Sequence, residues 1–338
     1  MTIRVAAIGM KHWHSLYDSA YLRHLADMPD VEIVGVHDDD PKIAAHRAQA
    51  IQSQAPTFTN YQEMLQRVRP DFVLALGRHD QMAAIASDLL DAHIPFIMEK
   101  PMSFNARQLH RVVEKTHAMS GFAAVPLGMR RSPIMQYARQ YIDAGTYGPM
   151  THFSWRLNRP TSARYVAWDS PWMLDPQFAN GGCLRNLGTH GLDCFVYLTG
   201  EGTAIDVVGA QLSWATHQQP VEDYAVVLLR SERGVLGTIE VGNTFPRNGR
   251  DSHFKVGFCD AMLIADGDSV IRHTADGVTE LPVTSNQPGR ADSVLRQTLD
   301  AATNGESPPV NVLDCYCAVR LIDLAYLAAG NPYGTAEV

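Results

Sequence analysis

Apolar and polar residues alternate with two different periods over the first 125 residues of the chain. Short apolar runs predict buried strands, and they lie at residues 4–8, 31–36, 72–76, 94–98 and 123–127. Apolar residues at helical spacing predict helices between these runs, the first ending near residue 26 and the others covering 42–53, 61–68, 81–92 and 107–119. Strands that alternate with helices are typical of a parallel sheet with right-handed crossovers.

The pattern changes after residue 126. One helix is predicted at 133–144, and strand-like segments with one apolar and one polar face then follow at 151–157, 204–214, 223–231, 234–242, 253–258, 261–265, 269–273 and 278–283. Such alternation is typical of consecutive antiparallel strands in a sheet that is covered on one side, and helices return at 292–303 and 313–328.

These patterns predict two domains of different class. Residues 1–125 are predicted to form an α/β, Rossmann-like dinucleotide-binding domain. Residues 126–338 are predicted to form an α+β domain with an open-faced, largely antiparallel sheet. The C-terminal helix of this second domain is able to pack back on the first.

Composition restricts the kinds of partner. The formal net charge is −8, with 28 basic and 36 acidic side chains, which disfavours a nucleic-acid or anionic membrane surface as a partner. No apolar run approaches the roughly 20 residues that cross a bilayer, and the first residues carry no signal-peptide pattern. The five cysteines show no Cys-x-x-Cys spacing. We expect a cytoplasmic protein with reduced thiols and with neither a nucleic-acid nor a membrane partner.

The apolar run that begins at Ile94 ends abruptly in Glu99-Lys100-Pro101. Open α/β sheets bind ligands outside the carboxyl ends of their strands, so Lys100 is expected beside a cofactor cleft. Pro101 fixes its own φ and favours an extended conformation at Lys100. The alternative is an ordinary surface pair of Glu99 and Lys100 at a strand end.

The loop after the first strand carries only part of a dinucleotide fingerprint. Of the three glycines in Gly-x-Gly-x-x-Gly only Gly9 is present, and Lys11 and His14 occupy the other two places. Two alternatives stay open: helix N-terminal amides bind a pyrophosphate while Lys11 supplies charge, or the loop has lost ordinary cofactor binding. His12 and His14 lack a matching acid cluster, and we predict no metal site.

Asp38 ends the second predicted strand. An acid at this place commonly accepts hydrogen bonds from the adenosine ribose hydroxyls of NAD, and it repels the 2′-phosphate of NADP. We therefore predict NAD as the cofactor and NADP as the less favoured one. The alternative is that Asp38 only forms the turn in the run Asp38-Asp39-Asp40-Pro41.

A second group of polar residues follows the glycine pair Gly181-Gly182. Asn186, His190 and Asp193 recur there at i, i+4 and i+7, which places them on one face of a predicted helix. A neutral imidazole can take a proton from a hydroxyl near pH 7. The alternative is a structural histidine whose hydrogen bonds are satisfied.

Three elements together resemble the glucose–fructose oxidoreductase and inositol dehydrogenase family, Gfo/Idh/MocA. They are Glu99-Lys100-Pro101, Arg130-Arg131, and the Asp-Pro…Gly-Gly…Gly-x-His-x-x-Asp stretch that contains His190. The resemblance covers essentially the whole chain. It implies an NAD(P)-dependent oxidoreductase that acts on CH–OH groups, and a homodimer or homotetramer assembled through the second sheet.

The resemblance also implies roles for individual residues. Lys100 would orient the substrate and take part in acid–base chemistry, His190 would accept the proton of the alcohol, and His79 would lie near the nicotinamide. Asn186 falls where many members carry an aspartate, so this chain keeps the hydrogen-bonding capacity but loses the charge. Arg78 also departs from the commoner sequence of its loop.

The complete set of expected site residues follows from the motifs and the resemblance together. The catalytic residues are Lys100, His190 and Asn186. The cofactor-binding residues are Gly9, Lys11, His12, His14, Asp38, Leu76, His79, Glu99 and Lys100. The substrate-binding residues are Arg130, Trp155, Asn158, Trp172, Asn186 and His190.

The predicted function is NAD-dependent oxidation of a secondary hydroxyl in a sugar, a polyol or a related small substrate. One alternative, with precedent in the family, is an enzyme that keeps NAD tightly bound and cleaves glycosides. Another is a non-catalytic ligand sensor, which the incomplete glycine fingerprint and Asn186 favour. Lys100 and His190, both retained, argue against the sensor.

Overall fold

A computed structural model gives the structure of residues 2–200, 202–267, 269–283 and 289–335. The chain divides into two compact units. The first unit comprises Met1–Pro126, Ala163–Asn180 and Arg290–Tyr316, and the second comprises Leu127–Ser162, Gly181–Gly289 and Cys317–Val338. The first unit thus includes two segments that follow the predicted boundary at residue 125.

The strands lie close to the predicted apolar runs. In chain order they are β1 (Ile3–Ile8), β2 (Val31–His37), β3 (Thr57–Phe58), β4 (Phe72–Ala75), β5 (Phe96–Met98), β6 (Ala123–Ala124), β7 (Met150–Pro160), β8 (Ile205–Ser213), β9 (Tyr224–Ser231), β10 (Leu236–Phe245), β11 (Asp251–Phe258), β12 (Ala261–Asp266), β13 (Ser269–Thr274) and β14 (Gly277–Leu281).

The helices include two short ones, Ala163–Ala167 and Pro176–Ala179, that the periodicity does not predict. In chain order they are α1 (Tyr21–Ala26), α2 (Pro41–Ala50), α3 (Tyr61–Val68), α4 (His79–Asp91), α5 (Ala106–Met119), α6 (Pro133–Ala144), α7 (Ala163–Ala167), α8 (Pro176–Ala179), α9 (Thr189–Thr199), α10 (Ala291–Asn304) and α11 (Val312–Ala328). Short 3₁₀ segments lie at Trp13–Ser15, Gly128–Arg131 and Pro171–Leu174. Another unpredicted segment is a π-helical turn at Leu184–Gly188, directly before α9.

The first unit contains a parallel sheet with strand order β3-β2-β1-β4-β5-β6. The central strands are fully buried because helices cover both faces, and this burial explains their continuous apolar runs. The order reverses at β1, which pairs with β2 on one side and with β4 on the other. Open α/β sheets bind ligands at such a switch point, at the carboxyl edge.

The segment after β1 differs from the prediction. A helix was expected soon after the loop, but residues Trp13–Ser15 form a 3₁₀ turn and α1 begins only at Tyr21. His12 caps the turn, because its side chain accepts a hydrogen bond from the amide of His14. The usual long helix of a dinucleotide loop is thus replaced by a short turn.

The second unit contains a sheet with strand order β14-β13-β12-β11-β7-β10-β9-β8. The prediction of consecutive antiparallel strands needs one correction, because β7 and β10 pair in parallel, with Trp155 opposite Ile239. A parallel pair requires a long connection, and the chain between these two strands provides it. The largely antiparallel character of the sheet is confirmed.

Candidate functional site

A cleft of about 500 Å³ lies at the carboxyl edge of the parallel sheet, within the first unit. Residues that directly follow β1, β2 and β4 line it. From the expected site these are Gly9, Lys11, His12 and Asp38, and they are joined by His37, Asp39, Asp40, Tyr61, Gly77, Arg78, Asp80, Gln81, Ala84 and Ile85. The cleft therefore lies where the strand order predicts it.

Gly9 brings two loops into backbone contact at the floor of the cleft. Its φ is +75°, and a Cβ at this position would lie 2.2 Å from the backbone nitrogen of Gly77. Gly77 itself has a φ of +57°. Only glycine permits both the conformation and this close approach, which explains why the first glycine of the fingerprint is present.

The rest of the nucleotide loop is held by side chains instead of glycines. The fully buried Arg47 on α2 donates from Nε to the carbonyl of Met10 at 3.2 Å and to Ser15 Oγ at 3.0 Å. Its terminal nitrogens donate to Asp169 Oδ2 at 3.2 Å. Ser170 Oγ donates to the carbonyl of Lys11 at 2.6 Å. Arg47 and the segment 163–180 thus fix the loop.

Aromatic rings pack around the same loop. The rings of His12 and Trp13 stack at 3.9 Å between centroids, and Trp13 meets the edge of Tyr165 at 5.0 Å. Trp172 lies 5.7 Å from His12 and 5.2 Å from His79. These rings form one buried aromatic cluster in the first unit.

The tautomer of His12 follows from its hydrogen bond. Its Nδ1 accepts from the backbone amide of His14 at 3.2 Å, so in the neutral ring Nε2 carries the hydrogen. Burial lowers the pKa of His12 well below its ordinary value, and the positive charges of His14 and Lys100 lower it further. His12 is therefore a neutral hydrogen-bond donor at the wall of the cleft.

His14 pairs with Glu99, and its expected contact with the cofactor stays a prediction. It does not line the cleft, and its Nδ1 lies 2.9 Å from Glu99 Oε2. Burial alone would lower the pKa of His14, but Glu99 and Asp18 raise it above its ordinary value. Burial likewise opposes ionisation of Glu99, and His14 and Lys100 nevertheless hold the pKa of that carboxyl well below its usual range. His14 occupies the place of the third glycine in the fingerprint. Its imidazole forms a charged pair with the Glu99 carboxylate.

Lys100 follows β5 at the carboxyl edge, as the apolar run predicts. It is only 1% exposed, its backbone amide donates to Glu99 Oε1 at 3.2 Å, and the Lys100–Pro101 peptide is cis. A lysine buried this deeply is retained only where its charge is paired or used. The surface-pair alternative for Glu99 and Lys100 is therefore wrong, because both side chains are buried.

Asp38 is buried at the end of β2 and anchors the nucleotide loop. Its carboxylate accepts from the backbone amides of Lys11 at 2.5 Å and of Asp40 at 3.0 Å. Burial raises the pKa of Asp38, while these two amides act in the opposite direction. Arg78, on the other wall, pairs with Asp80 at 2.9 Å and covers the ring of Phe178. Its charge is thus largely neutralised within its own loop.

Leu76 and His79 lie behind the cleft rather than on its wall. Both are buried. His79 Nδ1 donates to the carbonyl of Ala179 at 2.8 Å, which ties α4 to the segment 163–180. Their expected contacts with the cofactor stay predictions.

The predicted His190 helix lies in the second unit and begins with the π-helical turn. The buried Glu222 accepts from the amides of Gly182 at 2.8 Å and Leu184 at 2.9 Å, and from Tyr326 Oη at 2.8 Å. A Cβ on Gly182 would lie 2.2 Å from the carbonyl oxygen of Glu222. The glycine pair therefore allows the backbone to reach a buried carboxylate that caps this segment.

Asn186 lies in the π-helical turn and is buried, whereas His190 on α9 is half-buried. The third member of the predicted face, Asp193, is fully buried and pairs with the guanidinium of Arg130. A π turn rotates and rises less per residue than an α-helix. The i, i+4 spacing of an α-helix therefore does not describe how Asn186 and His190 are placed relative to each other. The expected catalytic roles stay predictions.

The remaining expected substrate contacts differ in character. Trp155 lies in the hydrophobic core of the second unit, where its ring leaves no room for a Cβ on Gly191. Asn158 is half-buried and bridges β7 to Thr244 through two hydrogen bonds of 2.9 Å. The position of Trp155 makes it a packing residue, and both substrate contacts stay predictions.

The residues of the cleft fit an NAD cofactor. Gly9 and Gly77 leave no side chain on the floor of the cleft, Lys11 supplies a positive charge, and Asp38 ends β2, the place at which dinucleotide folds commonly carry an acid for the ribose. Among residues 2–200, 202–267, 269–283 and 289–335, no group of three His, Cys, Asp or Glu side chains is arranged to hold a metal ion.

Sequence reasoning missed the residues that hold the loop. Arg47, Asp169 and Ser170 carry no motif, and the signal for Arg47 is weak: it shares the buried face of α2 with Ala44 and Ala48. A charged residue at an apolar position of a helix predicts a buried partner, but it does not predict which one.

Family models match both units of the chain. The model for the oxidoreductase family with an NAD-binding Rossmann fold matches residues 3–125, and the model for the GFO/IDH/MocA C-terminal domain matches residues 135–258. The chain belongs to the Gfo/Idh/MocA family of oxidoreductases. The predicted family, the predicted fold class and the NAD-binding character of the first domain are confirmed.

The individual relatives are of two kinds: curated proteins that match about half of the chain, and solved structures that cover nearly all of it at lower sequence identity. The levoglucosan dehydrogenase of Pseudarthrobacter phenanthrenivorans is 26% identical over 189 residues, which is 54% of this chain and 46% of that protein. The chain thus matches about half the length of its curated relatives. A levoglucosan dehydrogenase structure with NADH and levoglucosan has a TM-score of 0.81 at 19% identity, covering 98% and 97% of the two chains.

The fold is also that of GenD2 from gentamicin A biosynthesis, solved in complex with NAD. Its TM-score is 0.81 at 20% identity, covering 97% of this chain and 94% of GenD2. At these identities the structural likeness shows the fold alone. Across the part of the chain that the structure describes, no helix is long and apolar enough to cross a membrane.

Proposed function

We propose that the protein is an NAD-dependent dehydrogenase that oxidises a secondary hydroxyl of a sugar, a polyol or a related small substrate. The observation that carries the proposal is the buried Lys100, which stands beside Glu99 at the carboxyl edge that also bears the NAD-binding cleft. Bound NAD supplies the hydride acceptor for such an oxidation. Levoglucosan dehydrogenase, whose name specifies a sugar, supports the substrate class.

The proposed division of work uses three side chains. Lys100 polarises the reacting oxygen as negative charge develops on it. His190 accepts the proton of the hydroxyl, for which an imidazole is suited near neutral pH. Asn186 orients the hydroxyl by hydrogen bonding and, lacking a charge, leaves His190 easier to deprotonate after each turnover.

The preference for NAD over NADP rests on the acidic end of the cleft. Asp38, Asp39 and Asp40 all line it, and a 2′-phosphate there would meet several negative charges. Arg78 also lines the cleft, but Asp80 already pairs with it. We expect NADH to bind at least tenfold more tightly than NADPH, an order-of-magnitude figure for one such charge contact.

A homodimer through the second sheet is part of the proposal. Leu228 and Leu236, on β9 and β10, are about half exposed on the outer face of the sheet. Apolar side chains on an uncovered sheet face favour a second copy as the cover.

Burial raises the pKa of the Cys183 and Cys194 thiols, as in structural cysteines. We include a cytoplasmic location in the proposal.

The variant Lys100→Ala tests the proposed mechanism. We expect kcat, measured as NADH formation on the best sugar or polyol of a screen, to fall about 10³-fold because the developing oxyanion loses its cation. NADH affinity should stay within about threefold, since Lys100 does not line the cleft.

The matched control is Lys115→Ala on α5. Lys115 pairs with Asp91 and Ser87 at the surface, so its loss should leave kcat unchanged. Undiminished turnover by Lys100→Ala would contradict the mechanism. Product formation without net NADH would favour the glycoside-cleaving alternative.

A further inference from the structure

Two buried hydrogen-bond donors belong to the aromatic cluster, and one of them, His12, also lines the cleft. His12 is 1% exposed and Trp172 is 5% exposed, and their rings lie 5.7 Å apart. His12 Nε2 and Trp172 Nε1 are buried nitrogens with no hydrogen-bond partner among residues 2–200, 202–267, 269–283 and 289–335. Buried N–H groups are rarely left unsatisfied, and each one calls for an acceptor.

The chemistry of the missing acceptor follows from the donors. His12 Nδ1 accepts from the His14 amide, so Nε2 can only donate while the ring is neutral. The indole nitrogen of Trp172 also only donates. Neither donor is charged, and the rings around them are apolar. The partner is therefore a hydrogen-bond acceptor, and an uncharged oxygen, such as a hydroxyl, an ether or an amide carbonyl, costs least to bury among these apolar rings.

The position of His12 indicates which part of a dinucleotide reaches it. Asp38 stands where the adenosine ribose binds, and Lys11 stands where the pyrophosphate passes. His12 is the next residue of the loop and lines the same cleft. Lys100, to which the proposed function assigns the reacting oxygen, is near enough for its charge to lower the pKa of His12. Beyond its pyrophosphate, NAD continues into the ribose and the carboxamide of the nicotinamide half.

We propose that His12 Nε2–H and Trp172 Nε1–H together bind an oxygen of the nicotinamide riboside, either a ribose hydroxyl or the carboxamide carbonyl. This inference rests on the proposed function, because it assumes NAD in the cleft. It assigns Trp172 to the cofactor, where the sequence motif suggested the substrate. It also gives His12 a contact that the glycine fingerprint does not contain.

Two variants remove one donor each and keep the local structure. Trp172→Phe keeps an aromatic ring but lacks the N–H. His12→Asn keeps an acceptor for the His14 amide, since asparagine is a favoured cap at this place. Trp214→Phe on the second unit is the matched control. Circular dichroism and thermal unfolding verify the fold of each variant, and Trp172→Phe suffices if His12→Asn does not fold.

Calorimetric titration with NADH, ADP-ribose and ADP separates the possible contacts. We expect each variant to weaken NADH binding about 5- to 10-fold, the effect of losing one neutral hydrogen bond, and to leave ADP binding unchanged. Weakened ADP-ribose binding would place the contact at the ribose, and unchanged ADP-ribose binding would place it at the carboxamide.

Other outcomes would overturn the inference. Unchanged NADH binding would mean that water or substrate satisfies the donors. An equal loss for all three nucleotides would mean that the loop is distorted. If the wild-type protein binds no NADH, the proposed function itself fails, and this result is distinct from either of the others.

Discussion

At the residue scale, the charged pair of His14 and Glu99 is the least expected feature of the nucleotide loop. Both side chains are buried, and Lys100 lies next to Glu99 in the chain. By pairing with Glu99, His14 compensates a carboxylate that would otherwise have Lys100 as its main counter-ion. The pair therefore links the geometry of the nucleotide loop to the end of β5.

Replacing His14 tests the strength of this pair. We expect both His14→Gln and His14→Gly to lower the free energy of unfolding by about 3 kcal/mol, because each leaves a buried carboxylate without its closest cation. The glycine variant restores the third glycine of the fingerprint and should still be destabilised. Urea denaturation measures both, with His117→Gln on the exposed face of α5 as the control.

The difference in free energy of unfolding between the wild type and His14→Gln should depend on pH, and the two pKa shifts give the sign of this dependence. The pKa of His14 is raised, so its contribution is fully present below the ordinary value of 6.5 and is lost as the pH rises through the raised pKa. The pKa of Glu99 is lowered, so its contribution is lost only as the pH falls below the ordinary value of 4.5. The stability gap between wild type and His14→Gln should be larger at about pH 5.5 than at about pH 8.5. A gap that does not change with pH would contradict the charged pair.

At the element scale, the segment 163–180 acts as a brace for the nucleotide loop. It contributes Ser170 to the Lys11 carbonyl, Asp169 to Arg47, and the rings of Tyr165 and Trp172 to the aromatic cluster. The second and third glycines of the usual fingerprint allow the backbone to approach the pyrophosphate and the helix to pack closely on the strand. Here the loop is fixed in advance by its neighbours, which reduces the entropy lost on binding.

The brace can be weakened without touching the cleft. Ser170→Ala removes the hydrogen bond to the Lys11 carbonyl, and we expect NADH binding to weaken about fivefold, the effect of one hydrogen bond. Calorimetric titration measures the change. Ser252→Ala, at an exposed position of β11, is the control and should bind NADH as the wild type does. Equal affinity of all three proteins would show that the brace does not support nucleotide binding.

At the scale of the whole molecule, the outer face of the second sheet is the surface that a partner copy would cover. Leu228 pairs with Thr238, and Thr238 pairs with Ser154, so these side chains share that face. Leu236, two residues before Thr238, lies on the same face and is 56% exposed. Exposed apolar side chains grouped on one sheet face favour an interface with a second copy.

Leu228→Asp tests the assembly. We expect the wild type to sediment as a dimer or a tetramer and the variant to shift towards monomer, because a charge would be buried at the interface. Val166→Asp places the same charge on an exposed residue of the first unit and should leave assembly unchanged. A monomeric wild type, or a variant that assembles like the wild type, would contradict the proposed interface.

The extent to which sequence predicts this molecule also depends on scale. Local patterns predict β1, β2, β4 and β5, since buried parallel strands are continuous apolar runs. The same patterns predict that Lys100 follows the end of a strand. The same patterns miss Ser170, which bonds to a residue 159 positions away, and the partner of His14, which lies 85 positions away. Contacts at such separations depend on tertiary packing, which no local period encodes.

The parallel pairing of β7 with β10 was missed for a related reason. Alternation of apolar and polar residues predicts that a strand is half-buried, but it does not predict the neighbour or the direction of that strand. Likewise, the π-helical turn that contains Asn186 has no period of its own in the sequence. Family resemblance, by contrast, predicts roles for Lys100 and His190 without any knowledge of these details.

The measurement that tests the central claim most directly is a calorimetric titration of nucleotide-stripped protein with NADH and, separately, with NADPH. An NAD-dependent dehydrogenase with this cleft should bind NADH with a dissociation constant in the micromolar range and NADPH at least about tenfold more weakly. Failure to bind either nucleotide would contradict the account, since the braced loop, Asp38 and Lys11 would then serve no dinucleotide.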